Sequence, residues 1–407
     1  MYYQHHILST KTNDLRVWQS MLISLCSLFL IPSSLTSCRG DEIIFPAEYE
    51  VLPIESRELT SFAPNEPIGM YLLNEGNMGS NKATLDYYDY ASGVYTRNIY
   101  GNANPSVPKE MGDVGNDLKI YGSKLYAVIN CSNKIEVMDV ATTKRIGQID
   151  IPNCRYIRFH EGYAYVTSYA GPVEIRPDYT QKGFVAKIDT ATLQEVDRCI
   201  VGFQPDELEI VDGKIYVANS GGYMVPRYEN TVSVIDIATF AEIERIVIDI
   251  NLHRLRCDRH GQLWVSSRGD YYDENSKLYC YDTRKKRITA KLDVPVSNMC
   301  LDGDSLYVVS AQWSYVTMSN EITNCIIDVN SHEVVCDNFI KDGTDAEIRI
   351  PYGVMVNPIT KDIYVTDAKN YVNPGYLHCY GSDGIRKWSV RTGDIPAHFV
   401  FVGDEKQ

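Results

Sequence analysis

Residues 214–236 open with Lys214-Ile215-Tyr216-Val217-Ala218-Asn219 and close with Thr231-Val232-Ser233-Val234-Ile235-Asp236. Each run is short, rich in β-branched and aromatic residues, and bounded by turn-forming residues. Runs of that length and make-up read as strands, because a helix needs ten or more residues of 3.6-residue periodicity. After Asp236 comes Ile237-Ala238-Thr239, enough chain for a hairpin turn and little else. An Asp in that position accepts hydrogen bonds from the backbone N–H groups of its own turn. The unit is therefore strand, loop, strand, tight turn.

Outward from this pair, the aliphatic-aromatic-aliphatic strand recurs at Met70–Asn74, Leu125–Val128, Ala164–Ser168, Leu263–Ser266, Leu306–Ser310 and Ile363–Asp367. Its aromatic residue stands at positions 71, 126, 165, 216, 264, 307 and 364. The second strand ends in Asp at 89, 139, 189, 236, 282 and 328, with Gly381 in the seventh place. A carboxylate repeated at one turn position suits local turn chemistry better than catalysis. A period of roughly 40–50 residues with four strands is that of a propeller blade. The expected fold is all-β, a seven-bladed β-propeller of four-stranded antiparallel blades. The first repeat lacks a preceding inner strand, whereas His398-Phe399-Val400-Phe401-Val402 follows the last. Pairing this C-terminal strand into the first blade closes the ring and removes an exposed edge.

Composition agrees with a globular chain. Of 407 residues, 44% are hydrophobic and 23% charged, which excludes disordered and collagen-like classes. The net charge is −14 and the longest basic run is Arg284-Lys285-Lys286-Arg287, so no nucleic-acid partner is expected. Tyr dominates the aromatics, 30 against 10 Phe and 4 Trp, which asks for rings half buried and half wet.

The first 37 residues read as a lipoprotein signal peptide. Lys11 and Arg16 precede the apolar Met21–Ile31, which is too short to cross a hydrocarbon core of about 30 Å. Leu35-Thr36-Ser37-Cys38 resembles a bacterial lipobox, which makes Cys38 the lipidated residue; the alternative is a secretory signal with an incidental cysteine. Arg39-Gly40-Asp41-Glu42 resembles the acidic surface-export signal of some Gram-negative lipoproteins. The expected location is the outer membrane, lipid-anchored and facing the cell exterior. Residues 38–65 are acidic, carry Pro46, Pro53 and Pro64, and read as a tether that adds a strand or lies along the domain. Residues 66–407 form the propeller.

The strands Tyr165-Val166-Thr167-Ser168, Tyr216-Val217-Ala218-Asn219 and Tyr364-Val365-Thr366-Asp367 resemble those that name the YVTN family of seven-bladed propellers. The resemblance spans about residues 66–402 and is specific for fold, since such propellers serve many roles. Leu73–Asn81 (LNEGNMGSN) and Asp367–Gly375 (DAKNYVNPG) resemble a lipoprotein branch that includes cobalamin-capture proteins of the BtuG kind, which sit over a TonB-dependent transporter. The resemblance implies a corrinoid ligand and such a transporter as partner, with cobalamin as cargo and no cofactor.

Two groups of residues are candidates for ligand binding. Loops after the Tyr strands, at 74–84, 130–134, 168–184, 219–231, 267–277, 310–324 and 367–376, vary in length and share one face, as recognition surfaces do. They carry Tyr169, Tyr179, Tyr223, Tyr228, Tyr271, Tyr272, Trp313, Tyr315 and Tyr371; of these Tyr223, Tyr272, Trp313 and Tyr371 are the chosen contacts. Tyr offers a large contact area with two χ angles to freeze. The bland alternative is that these rings cover neighbouring blades. The starts of the inner strands supply the second group: Asn116, Arg155, Asp206, His253, Arg254, Asn298, Tyr352 and His398, beside Asp117 and Glu207. Mixed charge around the axis suits a polar ligand, or else a self-paired ring with no ligand.

Catalytic and metal motifs are missing from the pattern: there is no HExxH, CxxC, GxSxG or phosphate-cradling Gly-Lys loop. No catalytic or metal-ligating residue is assigned, although propellers also host lactonases, lyases and quinone-dependent dehydrogenases. An enzyme would draw on His253, His398, Asp206 and Glu207 at the axis. A surface binder of a small nutrient is the favoured reading, with a glycan or peptide binder or an interaction scaffold as alternatives. Nine cysteines follow Cys38, an odd number, so complete pairing within the chain is impossible. Cys325 and Cys336 straddle the turn at Asn330-Ser331 and are the one conceivable cross-strand disulfide.

Overall fold

Seven sheets of antiparallel strands follow one another around a central axis in the computed structural model, which describes residues 49–54, 62, 63, 65–314 and 318–403. The signal peptide, Cys38 and the first part of the tether lie outside the described residues. Each blade starts at an inner strand beside the axis and meanders outward. The inner strands of blades 2 to 7 are Gly115–Tyr121, Cys154–His160, Pro205–Val211, Leu252–Cys257, Asn298–Asp302 and Pro351–Val356. The second strands of blades 1 to 7 are Gly69–Asn74, Lys124–Ile129, Tyr163–Ser168, Lys214–Asn219, Gln262–Ser267, Ser305–Ser314 and Ile363–Asp367.

Blade 1 is closed as expected by the C-terminal strand, Pro396–Val402. Its register sets Gly69 against Val402, Tyr71 against Val400 and Leu73 against His398. On the outer side, Tyr49–Val51 pairs with Val94–Thr96 and gives this blade a fifth strand. Part of the segment 38–65 therefore adds a strand, one of the two roles expected of it.

The repeated aromatic has a single architectural job. Tyr126 of blade 2 sits in one apolar cluster with Ile157 and Ala164 of blade 3, and Tyr165 of blade 3 with Leu208 and Val217 of blade 4. Trp264 of blade 5 packs with Met299 and Val308 of blade 6. Tyr364 of blade 7 packs with Met70 and Leu72 of blade 1, and Tyr71 with Leu118 and Ala127 of blade 2. Each seam is thus filled by a ring from the preceding second strand, and burying one contributes about 2–3 kcal/mol. Two of the hydroxyls find polar atoms, Tyr71 donating to Val140 O at 2.6 Å and Tyr364 meeting the Tyr90 hydroxyl at 2.9 Å, whereas the buried Tyr126 hydroxyl has no partner among the described residues.

The repeated Asp also behaves as the local chemistry requires. Asp189 Oδ1 accepts from the N–H groups of Ala191 and Thr192 at 2.9 and 2.8 Å, and Asp328 Oδ1 from Asn330 and Ser331 at 3.0 and 2.7 Å. In blade 7, where Gly381 holds the place, Asp383 accepts from Ile385 N instead.

Two expectations are corrected. The segment 310–324 is not a loop for most of its length: Ser305–Ser314 and Ser319–Asp328 pair in continuous register from Ser305↔Asp328 to Ser314↔Ser319. The longest hairpin among the described residues results, with Trp313 opposite Asn320. Cys325 and Cys336 are both free thiols. A shift in register sets Cys336 against Ile326 rather than Cys325. One residue of offset sends the two side chains to opposite faces of the sheet. Cys325 accordingly packs in the seam with blade 5 and Cys336 against the seam with blade 7.

Candidate functional site

The inner strands of blades 2, 4, 5 and 7 begin with a bulge, which lets two successive residues at those starts face the axis or its mouth. The structure brings the candidate residues there together and pairs them with one another. Asp206, fully buried, accepts from Arg155 at 3.1 Å, from Arg268 at 3.0 Å and from the Tyr169 hydroxyl at 2.7 Å. The Arg155 guanidinium lies 4.7 Å from the Tyr169 ring centroid, and Asn116 Nδ2 donates to Arg155 O at 2.8 Å. Across the axis, Glu75 accepts from the Tyr352 hydroxyl at 2.9 Å and meets His398 Nε2 at 3.0 Å. Asn298 Nδ2 donates to Tyr352 O at 3.2 Å.

His253 and Arg254 share the Tyr156 hydroxyl, at 3.2 and 3.0 Å. Burial, together with the Arg268, Arg254 and Arg155 cations, holds the His253 imidazole well below its usual pKa. A neutral imidazole is left, and its Nε2 shares a hydrogen bond with the Tyr156 hydroxyl whose direction follows the tautomer. This layer is a network of mutually paired side chains, and it closes the axis on the variable-loop side.

Beneath it lies a second layer that sequence reasoning largely missed. Arg158 is within 3.2 Å of both Asp117 and Glu207 and 2.9 Å of Glu209; Arg256 reaches Glu207 at 2.5 Å, and Lys119 reaches Asp117 at 3.1 Å. Burial by itself raises the pKa of Glu207, but Arg256, Arg254 and Arg158 outweigh it and hold the carboxyl at about 2. These side chains border an axial cavity of about 470 Å³, to which Arg254, Asn298 and His398 also contribute. Along the inner strands, residues are buried at the start and half-exposed at the end, as in Gly115–Tyr121 and Leu252–Cys257. The cavity therefore opens away from the variable loops.

Against known proteins, residues 68–391 match the family described as DUF5074, a domain of unknown function. The chain belongs to the DUF5074 family. No curated protein matches it. Among solved structures, a hypothetical selenium-binding protein from Sulfolobus tokodaii aligns with a TM-score of 0.61 at 11% identity, covering 87% of this chain and 97% of that one. A quinoprotein alcohol dehydrogenase-like protein from Bacteroides thetaiotaomicron gives 0.52 at 14% identity over 82% and 78%. Hydrazine synthase of Kuenenia stuttgartiensis gives 0.54 at 16% over 66% and 77%. Identities this low show a shared propeller fold and nothing finer.

On this DUF5074 propeller the aromatics expected on the loops divide into three kinds. Tyr169 and Tyr179 are buried and serve packing. Tyr223 stands 6.2 Å from the Tyr169 ring and Tyr371 5.9 Å from Tyr352, so both cap the paired layer. Tyr271, Tyr272 and Trp313 are exposed, Tyr272 by 71%; Tyr315 lies outside the described residues. Their loops are tied down. Asp270 Oδ1 accepts from Tyr272, Asp273 and Glu274 N–H groups at 2.8–2.9 Å, and Tyr228 donates to Asp270 O at 3.4 Å. Arg176 N donates to Tyr223 O at 2.8 Å, and Asn77 Nδ2 to Tyr371 O at 2.8 Å, linking loops of different blades.

Lys119, Arg158, Glu209, Arg256 and the supporting Arg268 and Tyr156 went unread in the sequence. For Lys119, Glu209 and Arg256 the signal was alternation: Asp117-Leu118-Lys119, Glu207-Leu208-Glu209 and Arg254-Leu255-Arg256 place charges two apart around a core leucine.

Proposed function

We propose that this protein is a lipid-anchored cell-surface receptor that binds a small nutrient on its variable-loop face and delivers it to a TonB-dependent outer-membrane transporter. A cobalamin or related corrinoid is the ligand the reading favours. The observation that carries it is the set of exposed rings, Tyr271, Tyr272 and Tyr371 on the variable loops and Trp313 towards the end of the long blade 6 hairpin, on a closed ring whose axis is sealed beneath them. A corrin is broad and fringed with amides, so it offers flat area to rings and hydrogen-bond partners to the hydroxyls between them. Loops cross-linked by Asn77, Arg176 and Asp270 hold those rings in place before the ligand arrives, which reduces the ordering cost of binding. The lipobox at Cys38 and the acidic residues after it support outer-membrane anchorage with the propeller outside the cell.

Isothermal titration of the purified protein with cobalamin tests this. Micromolar or tighter binding is expected, and Tyr272→Ala or Trp313→Ala should each cost about 2 kcal/mol, roughly a thirtyfold loss of affinity. No heat at micromolar protein, or affinity unchanged in both variants, overturns the assignment. Binding of a soluble oligosaccharide in place of cobalamin would move the ligand class to glycans.

A further inference from the structure

The axial cavity is a container with two unlike walls. Blades 2 to 5 supply the charged wall: the carboxylates Asp117, Glu207 and Glu209 against the cations Lys119, Arg158, Arg254 and Arg256. Three negative groups face four positive ones, so a chain of net charge −14 keeps a positive surplus at its centre. Blades 6, 7 and 1 supply a largely apolar wall, with Cys300, Leu301, Met355 and Phe399.

The surplus has an address. Arg254 is 4% exposed, and its guanidinium bonds only to neutral oxygens, Nε to Ser297 O at 3.1 Å and Nη1 to the Tyr156 hydroxyl at 3.0 Å. It forms no ion pair among the described residues, and Nη2 there makes no hydrogen bond. Every other cation of the cavity has a carboxylate within 3.2 Å. Removing a guanidinium from water costs several kcal/mol unless an anion compensates it. A carboxylate arriving from solvent would do so through a charge-assisted bond to Nη2. The volume of about 470 Å³ is that of a small-molecule pocket.

We propose that the axial cavity binds a small amphipathic carboxylate, its anionic head on Arg254 and its apolar body against Met355, Leu301 and Phe399. This site opens on the face opposite the variable loops, so it is independent of the corrinoid reading.

The test is isothermal titration of the purified full-length protein with 4-phenylbutyrate, and with 4-phenylbutanamide as the uncharged control of equal shape. The carboxylate is expected to bind at least tenfold more tightly than the amide. Arg254→Met should bring the two to parity, and Met355→Trp, which fills the cavity and leaves every charge in place, should abolish both. Circular dichroism of each variant without ligand checks that it is folded, since Arg254 also helps to hold the Glu207 carboxylate and bonds Ser297 O and the Tyr156 hydroxyl. Equal binding of acid and amide to the parent, an undiminished preference in Arg254→Met, or unchanged affinity in Met355→Trp each overturns the proposal. If Arg254→Met does not fold, the parent preference and Met355→Trp decide it. Cobalamin titrated into the same variants reports separately on the loop face.

Discussion

Replacing Glu207 by Gln isolates the charge that holds the axis together. The amide keeps the shape of the side chain and still accepts from Leu255 N–H, which Glu207 Oε2 does at 2.9 Å. What it removes is the anion between Arg158 and Arg256. The carboxyl is held at about 2 against its ordinary 4.5, which corresponds to about 3 kcal/mol of folding stability at neutral pH. That agrees with the roughly 3–5 kcal/mol lost when one partner of a buried ion pair is deleted. An unfolding entropy of about 2.1 cal/mol/K per residue gives this domain about 0.7 kcal/mol/K, so Tm should fall by about 4–5 °C. The sign with pH follows from the depressed folded pKa. The contribution is complete above about 4.5, where the unfolded carboxyl is also ionised, and is lost as pH falls towards 2. Melting followed by circular dichroism at pH 7, 5 and 3 should therefore show a gap between parent and variant that is constant from 7 to 5 and narrows at 3. Glu195→Gln serves as the surface control: its partner Arg198 is 42% exposed, and the loss should be below about 1 °C. A pH 7 gap for Glu207→Gln no larger than that of the control, or one as wide at pH 3 as at pH 7, would refute the reasoning.

Ending the chain before Pro396 removes the inner strand of blade 1 and leaves Gly69–Asn74, buried throughout, as an open edge. Size-exclusion chromatography should then show aggregates in place of a monomer, whereas a monodisperse, cooperatively melting product would mean the ring does not depend on that strand. Alkylation under denaturing conditions without reductant should label both Cys325 and Cys336; protection of the pair until reductant is added would contradict the register that separates them.

The architecture was legible because its determinants are local and repeated. One ring per seam is a packing need that returns at every blade, so Tyr71 through Tyr364 mark the period, and each turn Asp is explained by N–H groups two or three residues away. Ring closure was legible from phase alone, since an unpaired strand at one end matched a missing strand at the other. The site is of another kind. Arg155 meets Asp206 from 51 positions away and His398 meets Glu75 from 323, and no local pattern announces which starts of which strands converge. Trp313 was misplaced on a loop because Ser310–Asn324 has the polar content of one, although its backbone pairs in register.

The deeper layer was hidden for a more instructive reason. Polar-apolar-polar runs such as Glu207-Leu208-Glu209 look the same whether the polar face meets solvent or an axis. In an outer strand such as Ala241–Val247 the alternating charges are solvent-exposed or partly so; in an inner strand both faces are enclosed and the charges must find one another. The distinction lies in the strand's place in the blade, which follows from its position just before the Tyr strand. Counting charges only in strands so placed would have assembled Asp117, Lys119, Arg158, Glu207, Glu209, Arg254 and Arg256 from the sequence. The same count also returns Arg155, Asp206 and Asp302, five cations against five carboxylates, so the arrangement and not the tally decides which cation is left without an ion-pair partner.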